Sequence, residues 1–245
     1  MSKLVEFKEI NFSYKKELVL DNLTFHVNKN EKVAIIGANG AGKSTVLKLL
    51  SGLLIANNGS ILFNGDILNK KHISSVRERI GFAFQDADAQ LFMPSVYEDI
   101  VFFAKQKKIN PEEIAIIASK ALTSVGIGDL KDKAPYNLSG GEKRLASIAV
   151  AIANEPQLLI LDEPSVGLDP KSRREVANVL KERRESLLIT THDMDLAYDI
   201  CDRIIVLHKG KVLIEGSPSD VFDENDILTK ANLEKPLQLQ YKRED

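Results

Sequence analysis

Apolar residues recur along this chain with two different periods. Leu4 to Ile10 alternates apolar and charged positions, the period-two pattern of a half-buried strand, and Leu18–Leu20 with Leu23–Val27 predicts a second strand region. Short apolar runs at 32–36, 158–161 and 187–190 predict buried strands, and the continuous Leu158–Leu161 run suits a parallel sheet covered on both faces. A further strand is predicted at 80–84, and another at 60–63 ending in the Asn64-Gly65 turn. Residues 203–207 and 211–214 flank His208-Lys209-Gly210 as a hairpin. Helical periodicity marks 44–50, where Val46, Leu47 and Leu50 share a face. It recurs from Pro111 to Val125, with Ile114, Ile117, Ala118, Ala121, Leu122 and Val125 on one side, and again at 142–154 and 172–184. From Asp223 the charged tail predicts a helical turn or two, then a loose end.

Strands alternating with helices predict an α/β fold with a mainly parallel sheet. Residues 86–155 read as a helical insertion, entered and left by strands of one core. The chain has 245 residues, 44% hydrophobic and 28% charged, an ordinary composition for filling a core. A net charge of −2 argues against a sequence-independent nucleic-acid binder. A single cysteine, Cys201, precludes an internal disulfide and fits a reducing compartment. Met1 to Phe12 does not resemble a signal peptide, and no apolar run approaches the roughly 18 residues of a membrane span.

The segment Gly37-Ala38-Asn39-Gly40-Ala41-Gly42-Lys43-Ser44 fits the phosphate-binding pattern G-x-x-x-x-G-K-[ST] at every fixed position. It lies between a predicted strand and a predicted helix, as the chemistry requires. Glycines let the backbone approach an anion, successive N–H groups cradle phosphate oxygens, and the helix N-terminus adds partial positive charge. Lys43 suits the β- and γ-phosphates, and Ser44 offers a hydroxyl to Mg²⁺. Asp162 and Glu163 end a buried strand, where adjacent carboxylates are costly without a cation or proton. Beside a phosphate loop, Asp162 is expected to hold Mg²⁺, and Glu163 to polarise the attacking water. His192 follows another strand end and suits a γ-phosphate contact. Gln85 closes the strand at 82–84; its amide oxygen suits the metal shell, and a plain polar strand end is the alternative. Ser139 suits an N-cap, with Gly140 and Gly141 exposing N–H groups to a second anion; a simple capped helix is the competing reading.

In this order these motifs resemble the nucleotide-binding domain of ABC transporters over essentially the whole chain to about Phe222. Gly37–Ser44 matches the Walker A loop, Gln85 the Q-loop glutamine, and Leu138-Ser139-Gly140-Gly141-Glu142 the family signature. Leu161-Asp162-Glu163-Pro164 matches Walker B, Gly167-Leu168-Asp169 the D-loop and His192 the switch histidine. The resemblance implies a P-loop NTPase fold of ABC type: a mainly parallel core sheet, an antiparallel β subdomain and an inserted α-helical subdomain. It implies one domain over 1–222, with core 1–85 and 156–222 and helical subdomain 86–155, followed by a tail at 223–245. Glu163 and His192 would act catalytically. Tyr14 and residues Gly37, Ala38, Asn39, Gly40, Ala41, Gly42, Lys43, Ser44, Thr45 and Gln85 would hold ATP, Tyr14 by stacking on adenine. Ser44, Gln85 and Asp162 would hold Mg²⁺. Two such subunits pair head to tail in this family, so Ser139, Gly140, Gly141, Glu142 and Asp169 would serve the ATP of the partner.

The implied partners are a second ATPase subunit, the same chain or a paralogue, an integral membrane transport subunit and a substrate-binding membrane component. The implied location is the cytoplasmic face of the cell membrane. The segment Phe84–Phe92, followed by Val96-Tyr97-Glu98-Asp99-Ile100, is similar to the corresponding part of energy-coupling-factor and cobalt-type importer ATPases, where it contacts the membrane subunit. The expected activity is therefore ATP hydrolysis powering import of a metal ion or vitamin. The competing class is a soluble ABC ATPase acting on DNA or ribosomes. Three positions depart from the pattern: Ala87 stands where proline is common, Glu142 where many relatives have glutamine, and Leu145 where arginine is usual. Arg144 lies one place earlier, about 100° around a helix, and is expected to miss the usual contact.

Overall fold

The computed structural model describes residues 2–240, so the expected loose end at 241–245 lies outside the described residues. Among the described residues ten strands and ten α-helices follow in chain order: β1 Lys3–Tyr14, β2 Glu17–Asn28, β3 Lys32–Ile36, α1 Lys43–Leu50, β4 Asn58–Phe63, β5 Asp66–Ile67, α2 Ile73–Arg77, β6 Ile80–Ala83, α3 Val96–Gln106, α4 Pro111–Ser124, α5 Gly140–Ile152, β7 Leu158–Asp162, α6 Pro170–Glu182, β8 Ser186–Thr191, α7 Met194–Ile200, β9 Arg203–His208, β10 Lys211–Gly216, α8 Pro218–Asp223, α9 Asn225–Lys230 and α10 Leu237–Gln240. Two compact units result. One joins the chain up to Arg77 with the chain from Arg184 on; the other is Glu78–Arg183.

The first unit holds an antiparallel sheet in the order β2-β1-β4-β5 and the strand run β10-β9-β3-β8. Strand β3 pairs in parallel with both β8 and β9, and β10 turns back on β9 through the expected hairpin. At its tip Lys209 and Gly210 both have positive φ, the backbone that a two-residue hairpin turn needs. Val33–Ile36 and Leu187–Ile189 are at most 1% exposed, which explains their unbroken apolar runs. The two segments 18–20 and 23–27 form one long strand, β2, with irregular register against β1. Helices α9 and α10 supply the helical turns expected of the tail.

The second unit pairs β6 with β7 in parallel and places α3 to α6 around them. Its helices start where side chains cap them. Ser95 opens α3, Asn110 with Pro111 opens α4, and Asp169 with Pro170 opens α6. The short helices α2, α7 and α8 escaped the periodicity reading because one or two turns carry too few apolar repeats. No helix among the described residues is long and apolar enough to cross a membrane.

Candidate functional site

The first unit builds the glycine loop at the end of β3. Register pairs Ile36 with Thr191, so Gly37 and His192 leave neighbouring strands at the same sheet edge. A Cβ on Gly37 would overlap the Leu207 carbonyl, and one on Gly42 would overlap the Leu20 side chain. Gly40 and Gly42 have φ of 80° and 107°, conformations open to glycine. The loop closes on itself through Ala41 N–H to the Ala38 carbonyl at 3.1 Å, and Gly210 N–H donates to the Ala41 carbonyl from the hairpin.

Lys43 begins α1 and is buried, its ammonium donating to the carbonyls of Gly37 at 2.7 Å and Ala38 at 3.4 Å. The charge is thereby held at the centre of the loop. Among the described helices of eight residues or more, α1 alone lacks a side-chain hydrogen bond at its N-cap, which is Gly42. Its first N–H groups are the donors an anion would take. Ser44 is half-buried and Thr45 buried at the same end, while Asn39 and Gly40 are exposed. Tyr14 closes β1 and is 42% exposed, its ring edge-on to Phe12 at 4.9 Å. His192 is exposed; the turn after it is fixed because Asp193 caps α7 and donates its own N–H to Thr191 Oγ1.

The second unit brings the remaining residues together. Ala83 pairs with Leu161, so Gln85 and the Asp162-Glu163 pair emerge from neighbouring strands at one edge. Glu163 is 6% exposed and has φ of 49° immediately before Pro164. A left-handed backbone before proline is strained, and strain at a buried acid is tolerated where geometry matters for chemistry.

Helix α5 starts with a full capping box: Ser139 Oγ accepts from Glu142 N–H, and the Glu142 carboxylate accepts from Ser139 N–H at 2.7 Å. The backbone N–H of Ser139 holds the Glu142 carboxyl below its usual range. The glycines therefore form the first turn of the helix rather than a loop before it. Asp169 likewise caps α6, accepting from Lys171 and Ser172 N–H and from Ser172 Oγ at 2.6 Å; that hydroxyl keeps its carboxyl ionised to lower pH.

Arg144, expected to miss the contact usual for an arginine one place later, makes a buried contact of its own. It is 3% exposed and donates through Nη1 to the Phe84 carbonyl and through Nη2 to the Gln85 carbonyl. Leu145 is also buried, so the register change costs the helix no packing. Burial lowers the affinity of Arg144 for its proton, and the charges of Asp162 and Asp86 oppose that loss. Gln90 adds a second brace, accepting from Phe84 N–H and donating to the carbonyls of Phe82 and Ser147. Lys143 reaches Asp88 at 2.6 Å. Ala87, despite lacking a proline ring, is held by N–H donors from Gln90 and Leu91 to its carbonyl. None of these braces was read from the sequence; the one available signal was Arg144 at the head of the largely apolar stretch of α5.

A profile of the ABC transporter family matches residues 20–166. The chain is 38% identical over 240 residues to the energy-coupling factor transporter ATP-binding protein EcfA3 of Clostridium perfringens, covering 95% of this chain and 84% of that one. Its fold is similar to CbiO1 from Clostridium perfringens, described as part of the ABC transporter complex CbiONQ, with a TM-score of 0.86, 37% identity and 95% of each chain covered. A dimeric ATP-binding cassette in a post-hydrolysis state, bound to ADP and Pi, gives a TM-score of 0.76 at 26% identity over 87% of this chain and 98% of that one. Motifs, sheet topology and likeness to known proteins agree, and the chain belongs to the ABC transporter family as an ATP-binding subunit, whose hydrolysis of ATP is coupled to transport.

Proposed function

We propose that this subunit powers an energy-coupling-factor-type importer of a metal ion or vitamin, working as one ATPase domain over residues 1–222 at the cytoplasmic face of the membrane. The observation that carries this reading is an aromatic patch on and before α3. Phe92 is 66% exposed and stands edge-on to Phe102 at 5.4 Å, with Phe103 also exposed. Large apolar side chains clustered on a surface mark a contact with another molecule. The patch begins at Phe92, the last residue of the segment similar to coupling-factor ATPases, and the likeness to EcfA3 and CbiO1 supports the same partner: a transmembrane subunit, with a substrate-binding component beside it.

The nucleotide chemistry assigns each residue a task. Tyr14 stacks on the base, and the loop N–H groups between Ala38 and Thr45, apart from the Ala41 N–H held by the Ala38 carbonyl, donate to phosphate oxygens. Lys43 exchanges the Gly37 carbonyl for a phosphate oxygen. Ser44, Gln85 and Asp162 would supply the Mg²⁺ ligands: all are hard oxygen donors and one is charged, which suits a cation held chiefly by nucleotide phosphates. No cluster of three or more His, Cys, Asp or Glu among the described residues offers a metal site of its own. When bound, Mg²⁺ neutralises charge building on the transferred phosphoryl group. Glu163 accepts a proton from the attacking water, and His192 contacts the γ-phosphate. Ser139, Gly140, Gly141, Glu142 and Asp169 serve the ATP of a second subunit, the same chain or a paralogue. The dimeric relative bound to ADP and Pi supports that pairing.

Two measurements test the proposal. Specific ATPase activity should fall on dilution as dimers dissociate; activity independent of concentration in protein shown to be monomeric would refute the shared site. Expressed with its genomic neighbours, the subunit should co-purify from membranes with a multi-span protein. Recovery with DNA or ribosomes would favour the alternative class, whose DNA-repair members carry long coiled-coil arms. The longest helix among the described residues, α4, has 14 residues.

A further inference from the structure

Gln85 sits two residues beyond β6, exposed, at the start of the irregular stretch 84–95. No regular element holds it, yet a metal ligand must be held to within a fraction of an ångström. Arg144 supplies the constraint. Its two terminal nitrogens bind the carbonyls on either side of the Gln85 Cα, those of Phe84 and Gln85. Fixing both flanking peptide planes fixes the direction of the Cα–Cβ bond between them.

The cost of the arrangement argues for a task. Arg144 is 3% exposed, its guanidinium is bound to neutral carbonyls rather than a carboxylate, and its Nε has no partner. Asp162 and Asp86 offset the buried charge from nearby. An apolar side chain would cap the strand more cheaply. Two consecutive carbonyls need the planar fork of arginine, which a lysine ammonium does not reproduce.

We propose that Arg144 is a positioning residue that aims the Gln85 side chain at the metal site, and so takes the place of the arginine usual one residue later. The proposal rests on the reading of Gln85 as a Mg²⁺ ligand. Its consequence is that α5, whose first turn carries the signature, and the Q-loop glutamine move as one piece.

A double-mutant cycle on the purified full chain separates positioning from bulk stability. Arg144→Lys should lower turnover by about tenfold and raise the Mg²⁺ concentration for half-maximal hydrolysis, with Mg-free ATP binding unchanged. In a Gln85→Ala background the same change should have no further effect. Equal losses in both backgrounds, or parental turnover of folded Arg144→Lys, would overturn the proposal alone. A Gln85→Ala protein with parental turnover and Mg²⁺ dependence would overturn the reading of Gln85 itself. A measurement with Arg144 intact guards against misfolded variants. A nitroxide attached through Gln85→Cys should give an immobilised spectrum, Cys201 being buried and its thiol pushed up in pKa by burial. A freely tumbling spectrum would refute the clamp.

Discussion

Ser172 occupies the space that a Cβ on Gly141 would need: an added methyl would overlap both Oγ and Cβ of Ser172. The serine cannot swing aside freely, because Asp169 holds its hydroxyl at 2.6 Å. The signature glycine and the D-loop aspartate are thus linked through one side chain. Gly141→Ala should destabilise the chain by about 1–3 kcal/mol through overpacking between α5 and α6. Chemical denaturation checks this, and adding Ser172→Gly should recover most of the loss. No recovery would mean that the clash lies elsewhere.

Glu163→Gln keeps the shape of a side chain that is buried and held at φ of 49°. It removes the proton acceptor alone. Turnover should fall by roughly 10²–10⁴-fold while Mg-ATP binding persists. Single-turnover hydrolysis beside equilibrium binding gives both numbers, and a normal rate would remove Glu163 from the chemistry.

Lys43→Ala deletes the ammonium now resting on the Gly37 and Ala38 carbonyls. Nucleotide affinity should drop by about ten- to a hundredfold, the value of one charged hydrogen-bonding group. Titration with a fluorescent ATP analogue reports it. Unchanged affinity would place the phosphates away from this loop.

Asp99 gives a pH signature. It is 3% exposed, Oδ1 accepts from Phe92 and Met93 N–H at 3.1 Å each, and Oδ2 has no partner. Burial raises its pKa above the ordinary aspartate value of 3.8, against the two N–H donors. The folded state then prefers the protonated acid, so its stabilising effect is full below the unfolded pKa and is lost as pH rises through the folded one. Asp99→Asn should therefore gain stability relative to the parent as pH climbs from about 3 to 7. Thermal midpoints of both proteins across that window check the sign; a constant difference would show that folding leaves the Asp99 pKa at its unfolded value.

The core strands were legible because burial on both faces leaves nothing but apolar residues, as in Val33–Ile36 and Leu187–Ile189. The glycine loop was legible because its fixed residues recur at fixed spacing in one short segment, although Gly37 and Gly42 also answer close approaches by Leu207 and Leu20. The braces on the 84–90 segment were not. Arg144, Gln90 and Lys143 act on residues 55 or more positions away, or on backbone N–H and carbonyl groups that carry no residue signature. The start of α5 was placed two residues late because glycines at 140 and 141 read as loop, whereas the capping box of Ser139 and Glu142 starts the helix in spite of them. Asp169 was read by its motif alone, and its second task as cap of α6 appears only with the fold.

Gly42 gives α1 no side-chain cap, so ATP bound on the proposed loop would be a structural component as well as a fuel. By mass action, ATP at a hundredfold excess over its dissociation constant adds about 2.7 kcal/mol to the stability of the folded chain.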